Sequence, residues 1–354
     1  MGTLIIPCAG RSTRFPMVRP KWLLTYPDGK LMVEKAVEGL NMPFFKRVIV
    51  TMLEEHRQKY SADTVVAQAF GGKAEVCVLD GFTQSQSETV AVTIRKMGVT
   101  GPFVSKDSDG YVRAEIDRQG NFLVGVDIRK KREVRDVGAK SFIVLEGQRG
   151  VADIVEKSAV SNIICTGVYG FDSAEKFVKA YEEVKSSWQS GKGEIYLSNI
   201  VSHLIGRRSA FTYHEAAEYE DWGLLSDWYR VLRRKRTYFV DVDGVIFKNK
   251  GRYGQVNWDS EDEPLSNNIC VIKKWAEQGA QVVLCTSRPE KHRGKLEESL
   301  ERHGIRWHSI VMGCNHAQRV LVNDFARTNP HPSCVAVSIP RDADDLDKYI
   351  GAED

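Results

Sequence analysis

Three short stretches of the chain carry residue types suited to managing phosphate. In PCAGRSTRFPMVRPK, residues 7 to 21, an apolar run stops at Gly10 and gives way to Ser12, Thr13, Arg14 and, further on, Lys21. Loop amides and basic side chains donate to oxyanions, and the torsional freedom of a glycine lets the amides come close to one. In FVSKDSDG, Asp107 and Asp109 stand two apart after an apolar run. On a continued strand they point the same way, and one of them can ligate Mg2+. In YFVDVDGVIF, Asp241 and Asp243 repeat that spacing, with Gly244 setting a turn. Two carboxylates so close repel one another in a dry setting and require a cation or a shared proton.

Such residues need rigid elements behind them. Short β-branched runs alternate with amphipathic stretches from the start: TLIIP, KLMVEKAVEGL, KRVIVTML, EVCVL and ETVAVTIRKMG. That rhythm predicts strands joined by helices in a three-layer α/β sheet. Between residues 103 and 147 the runs shorten and Gly and Asp turns intervene, as in an antiparallel insertion. Helical spacing returns in EKFVKAYEEVKSSW, which sets Phe177, Val178, Tyr181, Val184 and Trp188 on one face. After Trp228 a helix, DWYRVLRRK, leads into a second alternation: TYFVDVDGVIF, CVIKKWAEQG, QVVLCTSR, KLEESLERHG, SIVMG, RVLVND and VAVSIP. The reading gives one domain over residues 1–233 and a second over 234–354, with no internal repeat.

Size and composition agree with that division. A chain of 354 residues exceeds the usual single core. With 42% apolar and 27% charged residues it has the balance of an ordinary globular protein. A net charge of +3, with RRKR at 233–236 as the densest basic cluster, does not suggest a nucleic-acid binder. The seven cysteines are scattered singly, so neither a zinc site nor a disulfide framework is indicated, and most are expected as small core residues. No leader-like start and no run of apolar residues long enough to span a bilayer is seen, and the expected location is cytoplasmic, without membrane insertion.

The order Ala9, Gly10, Ser12, Thr13, Arg14, Pro16, Pro20, Lys21 resembles the signature of the nucleoside-triphosphate transferases that make nucleotide-activated sugars and related alcohols. The resemblance continues through GFTQSQSETV, PFVSKDSDGYV, DIVEKSAVSNIICTGVYGF, GEIYLSNIVSHLI and YEDWGLLSDW, over residues 1–230. It implies a Rossmann-like nucleotidyltransferase sandwich with Arg14 and Lys21 as catalytic cations. It also implies nucleotide contacts from Ala9, Gly10, Ser12 and Thr13, with Gln84 in the region that meets the base. By the same match Lys157 steadies the acceptor's phosphate. Asp109 and Asp221 would hold Mg2+, with Asp107 a further candidate; Trp222 stands where the family commonly has threonine.

The second half resembles the haloacid dehalogenase phosphatases over residues 236–340. DVDG at 241–244, TSR at 286–288 and ND at 323–324 match the family's first, second and fourth motifs, each after a predicted strand. The stretch between Asp243 and Thr286 is too short for a large cap, so a small, essentially uncapped domain is implied. On this resemblance Asp241 is the nucleophile that forms an aspartyl-phosphate, and Asp243 protonates the leaving alcohol and then activates water. Thr286 and Ser287 would hold the phosphoryl group, and Asp241, Asp243 and Asp324 the Mg2+. The third motif's cation is open among Lys295, Arg319 and Arg288.

The expectation for the whole chain is a bifunctional enzyme. Its first domain transfers a nucleotidyl group from a nucleoside triphosphate to a phosphorylated sugar or polyol and releases pyrophosphate. Its second is a Mg2+-dependent phosphomonoesterase of the same pathway, one that supplies surface-polysaccharide precursors, and the resemblance implies self-association. Two alternatives stand beside it: a CTP-dependent transferase for a non-sugar phosphate or phosphonate, and a nucleotide-binding regulator with a degenerate phosphatase domain.

Overall fold

The computed structural model describes residues 2–11, 15, 19–116, 119–130, 136–188, 193–251, 257–324 and 333–350. The chain forms two compact units, Met1–Trp228 and Tyr229–Asp354.

In the first unit the elements run β1 (Gly2–Pro7), α1 (Met32–Glu38), β2 (Phe45–Leu53), α2 (Glu54–Tyr60), α3 (Ala62–Ala69), β3 (Ala74–Leu79), α4 (Gln86–Met97), β4 (Phe103–Lys106), β5 (Gly110–Arg113), β6 (Phe122–Asp127), β7 (Ser141–Glu146), β8 (Gly150–Glu156), β9 (Ile163–Phe171), α5 (Ala174–Ser187), α6 (Leu197–Gly206), β10 (Thr212–Glu215), β11 (Glu218–Asp221) and α7 (Leu225–Arg234), the last extending past the division. Nine strands make one sheet in the order β3-β2-β1-β4-β9-β6-β10-β8-β7. β1, β2, β3 and β4 are parallel, whereas β9 runs antiparallel to β4 and β6, and β7 to β8.

Strand alternation explains the layers. Ile5 of β1 and Ile49 of β2 enter one apolar cluster with α4, α5 and α6 residues such as Val90, Phe177 and Ile200. Their neighbours Leu4, Ile6, Val48 and Val50 enter a second cluster with Val33, Val37 and Val66 of α1 and α3. Both faces of the parallel strands are therefore covered, as a sheet of near-continuous apolar runs requires. α5 buries Phe177, Tyr181 and Val184 on one face, with Val178 and Trp188 partly covered. The chain leaves β1 toward β2 on one side and meets β4 on the other. The β1/β4 junction is thus the point where strand order reverses, and the loops after the carboxyl ends of these strands frame a crevice there.

The second unit is built on a parallel sheet of β12 (Thr237–Asp241), β13 (Gln281–Cys285) and β14 (Ser309–Val311), with α8 (Ser266–Glu277) and α9 (Arg293–Arg302) between them. Ile269, Ile272 and Trp275 of α8 and Leu296 and Leu300 of α9 pack with Val240, Val282 and Leu284. The Tyr238 ring stacks on Trp275 at 3.9 Å. The strands expected at RVLV and VAVSIP are not formed. Val320, Leu321 and Val322 are 77, 49 and 88% exposed, so neither alternate face of the run is buried. β-branched residues favour a strand only where a partner edge and a covered face reward it. Arg319, at the start of this run, instead turns its guanidinium to Asp241 and the Cys285 carbonyl.

Cys8, Cys77 and Cys165 are buried, but Cys270 and Cys334 are exposed and Cys285 and Cys314 partly so, which restricts the core role expected of the cysteines to three positions. Among the described residues no helix is long and apolar enough to cross a membrane.

Candidate active site

Residues far apart in sequence meet where β1 and β4 end. β4 stops at Lys106, one residue before the Asp107/Asp109 pair, so strand alternation does not set the directions of these two side chains. Each has its own partners instead. Asp107 donates its amide to the Gly167 carbonyl at 2.9 Å, and its carboxylate accepts from Gln86 Nε2. Gly167 lies at φ +77°, and a Cβ there would run into the Asp107 carboxylate, so only glycine fits on both counts. Asp109 is ion-paired with Lys21 Nζ.

Beneath this loop sits a residue that sequence reasoning did not single out. Lys106 is fully buried and donates its ammonium to the carbonyls of Asp107 and Gly110 at 2.7 and 2.9 Å, tying the turn that carries Asp109. Its only advance signal was a charged residue closing an apolar strand. Burial lowers the Lys106 pKa, against the pull of Asp107 and Asp109. Burial and the neighbouring Asp109 charge raise the Asp107 carboxyl. For Asp109, burial is outweighed by Lys21, Lys106 and Lys140, and its pKa is lowered.

A second carboxylate arrives through a two-stranded pairing. β11 runs antiparallel to β5 with Asp221 opposite Gly110, and the Trp222 amide extends the ladder to the Asp109 carbonyl at 2.9 Å. Trp222 itself is buried with Tyr26 and Trp228 around it. Gly223 then donates its amide to Asp221 Oδ1 at 3.1 Å. A Cβ on Gly223 would lie 3.2 Å from Asp221 Oδ1 and 3.7 Å from Asp109 Oδ2, so the two carboxylates converge on the space a side chain would fill. Two hard oxygen donors beside an open volume fit Mg2+, which keeps waters and substrate oxygens for the rest of its shell. Among the described residues no group of three or more His, Cys, Asp or Glu side chains gathers as a metal site. The other Asp221 oxygen is ion-paired with Lys140, a second residue the sequence did not announce.

The remaining expected residues fall around this centre. Ala9 is buried and Gly10 exposed. Gly10 does not adopt a positive φ, and a Cβ there would meet open space, so it contributes room above the loop and not the special torsion expected of it. Ser12, Thr13 and Arg14 lie outside the described residues. Arg11, next to them, sits over the Phe82 ring at 5.1 Å. Gln84 is exposed just before α4, whose first turn is capped by Ser85 accepting from Glu88 N at 3.1 Å. Lys157 donates to Tyr196 Oη at 2.5 Å and is linked to the carboxylates through Lys140, whose carbonyl accepts its amide at 2.9 Å. Burial pushes the Cys8 thiol up to about 12, away from the thiolate form.

In the second unit, Asp241 and Asp243 line a cavity of about 550 Å3 with Asn249, Trp258, Arg319 and Arg341. Gly244, at φ +97°, makes the turn after them and donates to the Phe247 carbonyl at 2.6 Å. Arg319 contacts both Asp241 oxygens, at 3.0 and 3.3 Å. Arg288, 1% exposed, forks onto both Asp243 oxygens at 2.9 and 2.7 Å and with its other edge onto Asp262 at 2.8 and 3.3 Å. Lys250 reaches Asp262 at 2.8 Å. Thr286 is buried, 3.4 Å from Asp243, and Ser287 lines the cavity. Of the three candidate cations, Arg288 and Arg319 meet the aspartate pair, while Lys295 donates to the Asp259 carbonyl. Asp324 is exposed and is not among the residues that line the cavity. Every oxygen of the aspartate pair accepts from a guanidinium, so the expected Mg2+ would share these oxygens with Arg288 and Arg319 or displace them.

No family model matches the sequence, and no curated protein matches it. Solved structures do. The nucleoside-diphosphate-sugar pyrophosphorylase of Vibrio cholerae RC9 is similar over 65% of this chain and 99% of its own, with a TM-score of 0.55 and 23% identity. The inositol-1-phosphate CTP transferase of T. maritima is similar over 64% of this chain and 91% of its own, with a TM-score of 0.52 and 14% identity. A putative glucose-1-phosphate thymidylyltransferase of Bacillus anthracis, solved with sucrose, is similar over 65% of this chain and 93% of its own, with a TM-score of 0.51 and 20% identity. The likeness is one of fold: a mixed α/β, Rossmann-like nucleotidyltransferase fold, over a share of this chain equal in size to its first unit.

Proposed function

We propose that the first unit transfers a nucleotidyl group from a nucleoside triphosphate to a phosphorylated small acceptor, a sugar or polyol phosphate, and releases pyrophosphate. The observation that carries this reading is the convergence of Asp109 and Asp221 over Gly223, with Lys21 paired to the Asp109 oxygen that faces Gly223 and Lys140 to the Asp221 oxygen that does not. An acceptor phosphate oxygen attacks the α-phosphorus as the bond to the β-phosphate oxygen breaks. The acceptor is already ionised, so no protein base is required. The obstacle is repulsion between two polyanions, and positioning together with fixed positive charge supplies most of the catalysis in such transfers. Lys21, the Gly10 loop and Arg14 are assigned to the triphosphate, Gln84 to the base side, and Lys157 to the acceptor phosphate. Mg2+ held by Asp109 and Asp221 would neutralise charge on the phosphate oxygens. Neighbours of the same fold that carry sugar-phosphate and inositol-phosphate transferase names support this class of acceptor. The inositol-1-phosphate CTP transferase among them keeps CTP and a non-sugar acceptor in view.

For residues 234–354 the proposal is a phosphomonoesterase of the same surface-polysaccharide pathway, with Asp241 as nucleophile in the cavity and Thr286 and Ser287 beside the phosphoryl group. Arg319 is 45% exposed in its pair with Asp241, and an entering phosphate dianion competes for that guanidinium and uncovers the carboxylate. Closure of both aspartates by arginines favours a second reading, an anion-binding module without turnover.

A screen of CTP, UTP, dTTP, GTP and ATP against phosphorylated acceptors, read as pyrophosphate release, tests the first unit; the expected result is one strongly preferred pair. Tight nucleotide binding with no pyrophosphate from any pair would replace the enzyme with a regulator. Phosphate release from sugar and polyol phosphates, lost in Asp241→Asn, tests the second. Release unaltered by that substitution, or absent from the native chain, leaves the binding module.

A further inference from the structure

The backbones of Lys140 and Lys157 meet at the open end of the β7–β8 ladder. Ser141 pairs with Glu156, and one step outward the Lys157 amide donates to the Lys140 carbonyl at 2.9 Å. The rung between them is tightly fixed, since the Glu156 carboxylate accepts from both Ser141 and Ser198. Lys157 carries a backbone cost, because it lies at φ +53°, a region that a residue with a side chain rarely adopts. A torsion that is unfavourable in the free protein, beside a second lysine, points to something that makes use of it.

Each ammonium group has one partner among the described residues. Lys157 Nζ lies 4.4 Å from the Tyr196 ring centroid and donates to its hydroxyl, leaving an exposed cation at the rim. Lys140 reaches the Asp221 oxygen not bound by Gly223, so its charge is tied to a candidate metal ligand while its backbone is bonded to that of Lys157. An ammonium has three donors, and one ion pair leaves two.

We propose that Lys140 is a second ligand of the acceptor's phosphate, closing with Lys157 a two-lysine clamp that binds the phosphate next to Asp221. The proposal rests on the transferase reading above. Remaining on Asp221 while it holds the phosphate, Lys140 fixes the attacking group relative to the Asp109/Asp221 pair. It is a binding residue, and its loss falls on acceptor affinity.

The test uses the full-length chain with Lys140→Met and Lys140→Arg. In EDTA, without nucleotide, inorganic phosphate should slow amide hydrogen exchange in peptides covering residues 137–142 and 154–160 of the native chain. The protection should vanish in Lys140→Met, return in Lys140→Arg, and leave exchange elsewhere unchanged, which also reports that the variants fold. In turnover, Lys140→Met should raise KM for the acceptor about tenfold, the loss of one charge-assisted contact, with KM for the nucleotide unchanged. Absent protection in the native chain, equal protection in Lys140→Met, or a rise in nucleotide KM alone overturns the clamp. Loss of protection in Lys140→Met from a chain that makes no pyrophosphate with any pair keeps the clamp and removes the transferase. Pyrophosphate formation with equal protection does the reverse.

Discussion

The Trp222 amide donates to the Asp109 carbonyl at 2.9 Å, one rung beyond the last pair of the β5–β11 ladder. This bond fixes the register that brings Asp221 alongside Asp109 across Gly223. Asp109→Asn and Asp221→Asn are each expected to lower kcat for pyrophosphate release by at least about 100-fold, since either removes charge where phosphate charge must be offset. Because the two side chains act as one unit, the double variant should be little worse than the poorer single one, as steady-state kinetics at saturating Mg2+ will reveal.

Gly223→Ala separates the space between the carboxylates from the carboxylates themselves. Gly223 does not occupy the left-handed region, so alanine costs no backbone strain, yet its methyl group would occupy the volume facing both oxygens. The Mg2+ concentration for half-maximal activity should rise about tenfold, worth roughly 1.4 kcal/mol, while the thermal midpoint stays put. An unchanged Mg2+ requirement would mean that the ion sits elsewhere.

Lys106→Met deletes the ammonium under the Asp107 turn and leaves the carbonyls of Asp107 and Gly110 without their donor. Unsatisfied buried acceptors are costly, and the melting midpoint of the first unit should fall by on the order of 5 °C. A midpoint that holds or rises would show that the buried charge is retained at the expense of stability.

Asp262 gives the second unit an acid-sensitive contact. Burial raises its pKa, but hydrogen bonds from Arg288 and Lys250 outweigh that, so the folded value lies below the ordinary 3.8. A carboxyl depressed on folding contributes stability above its unfolded pKa and loses it as pH falls through the folded one. Asp262→Asn should therefore cost about 3 kcal/mol near pH 7, the toll of breaking a buried pair. Urea titrations should show that deficit shrinking below about pH 4 as the native chain loses the same contribution. Parallel curves down to pH 3 would discard the assignment.

The parallel strands and their helices were legible because burial on two faces writes itself as continuous apolar runs in β1, β2 and β4, and burial on one face as the helical spacing of α5. Asp109, Lys21 and Asp221 were found through a resemblance over residues 1–230, and their convergence is a property of the fold. Lys106 and Lys140 escaped because a lone lysine at a strand end reads as solvated, and only tertiary placement distinguishes a buried donor from a surface one. RVLV and VAVSIP misled for the converse reason: local β preference is visible in the letters, whereas the neighbouring edge it needs is not.

The β5–β11 pairing also sets a timetable. The carboxylate pair joins residues 109 and 221, close to the end of the first unit at Trp228. During synthesis the parallel strands β1 to β4 can pair as soon as they emerge, but the proposed catalytic centre has to wait for nearly all of that unit. A ribosome-stalled or clipped chain ending before Glu218 would thus hold every strand of the large sheet and lack the proposed Asp221 ligand.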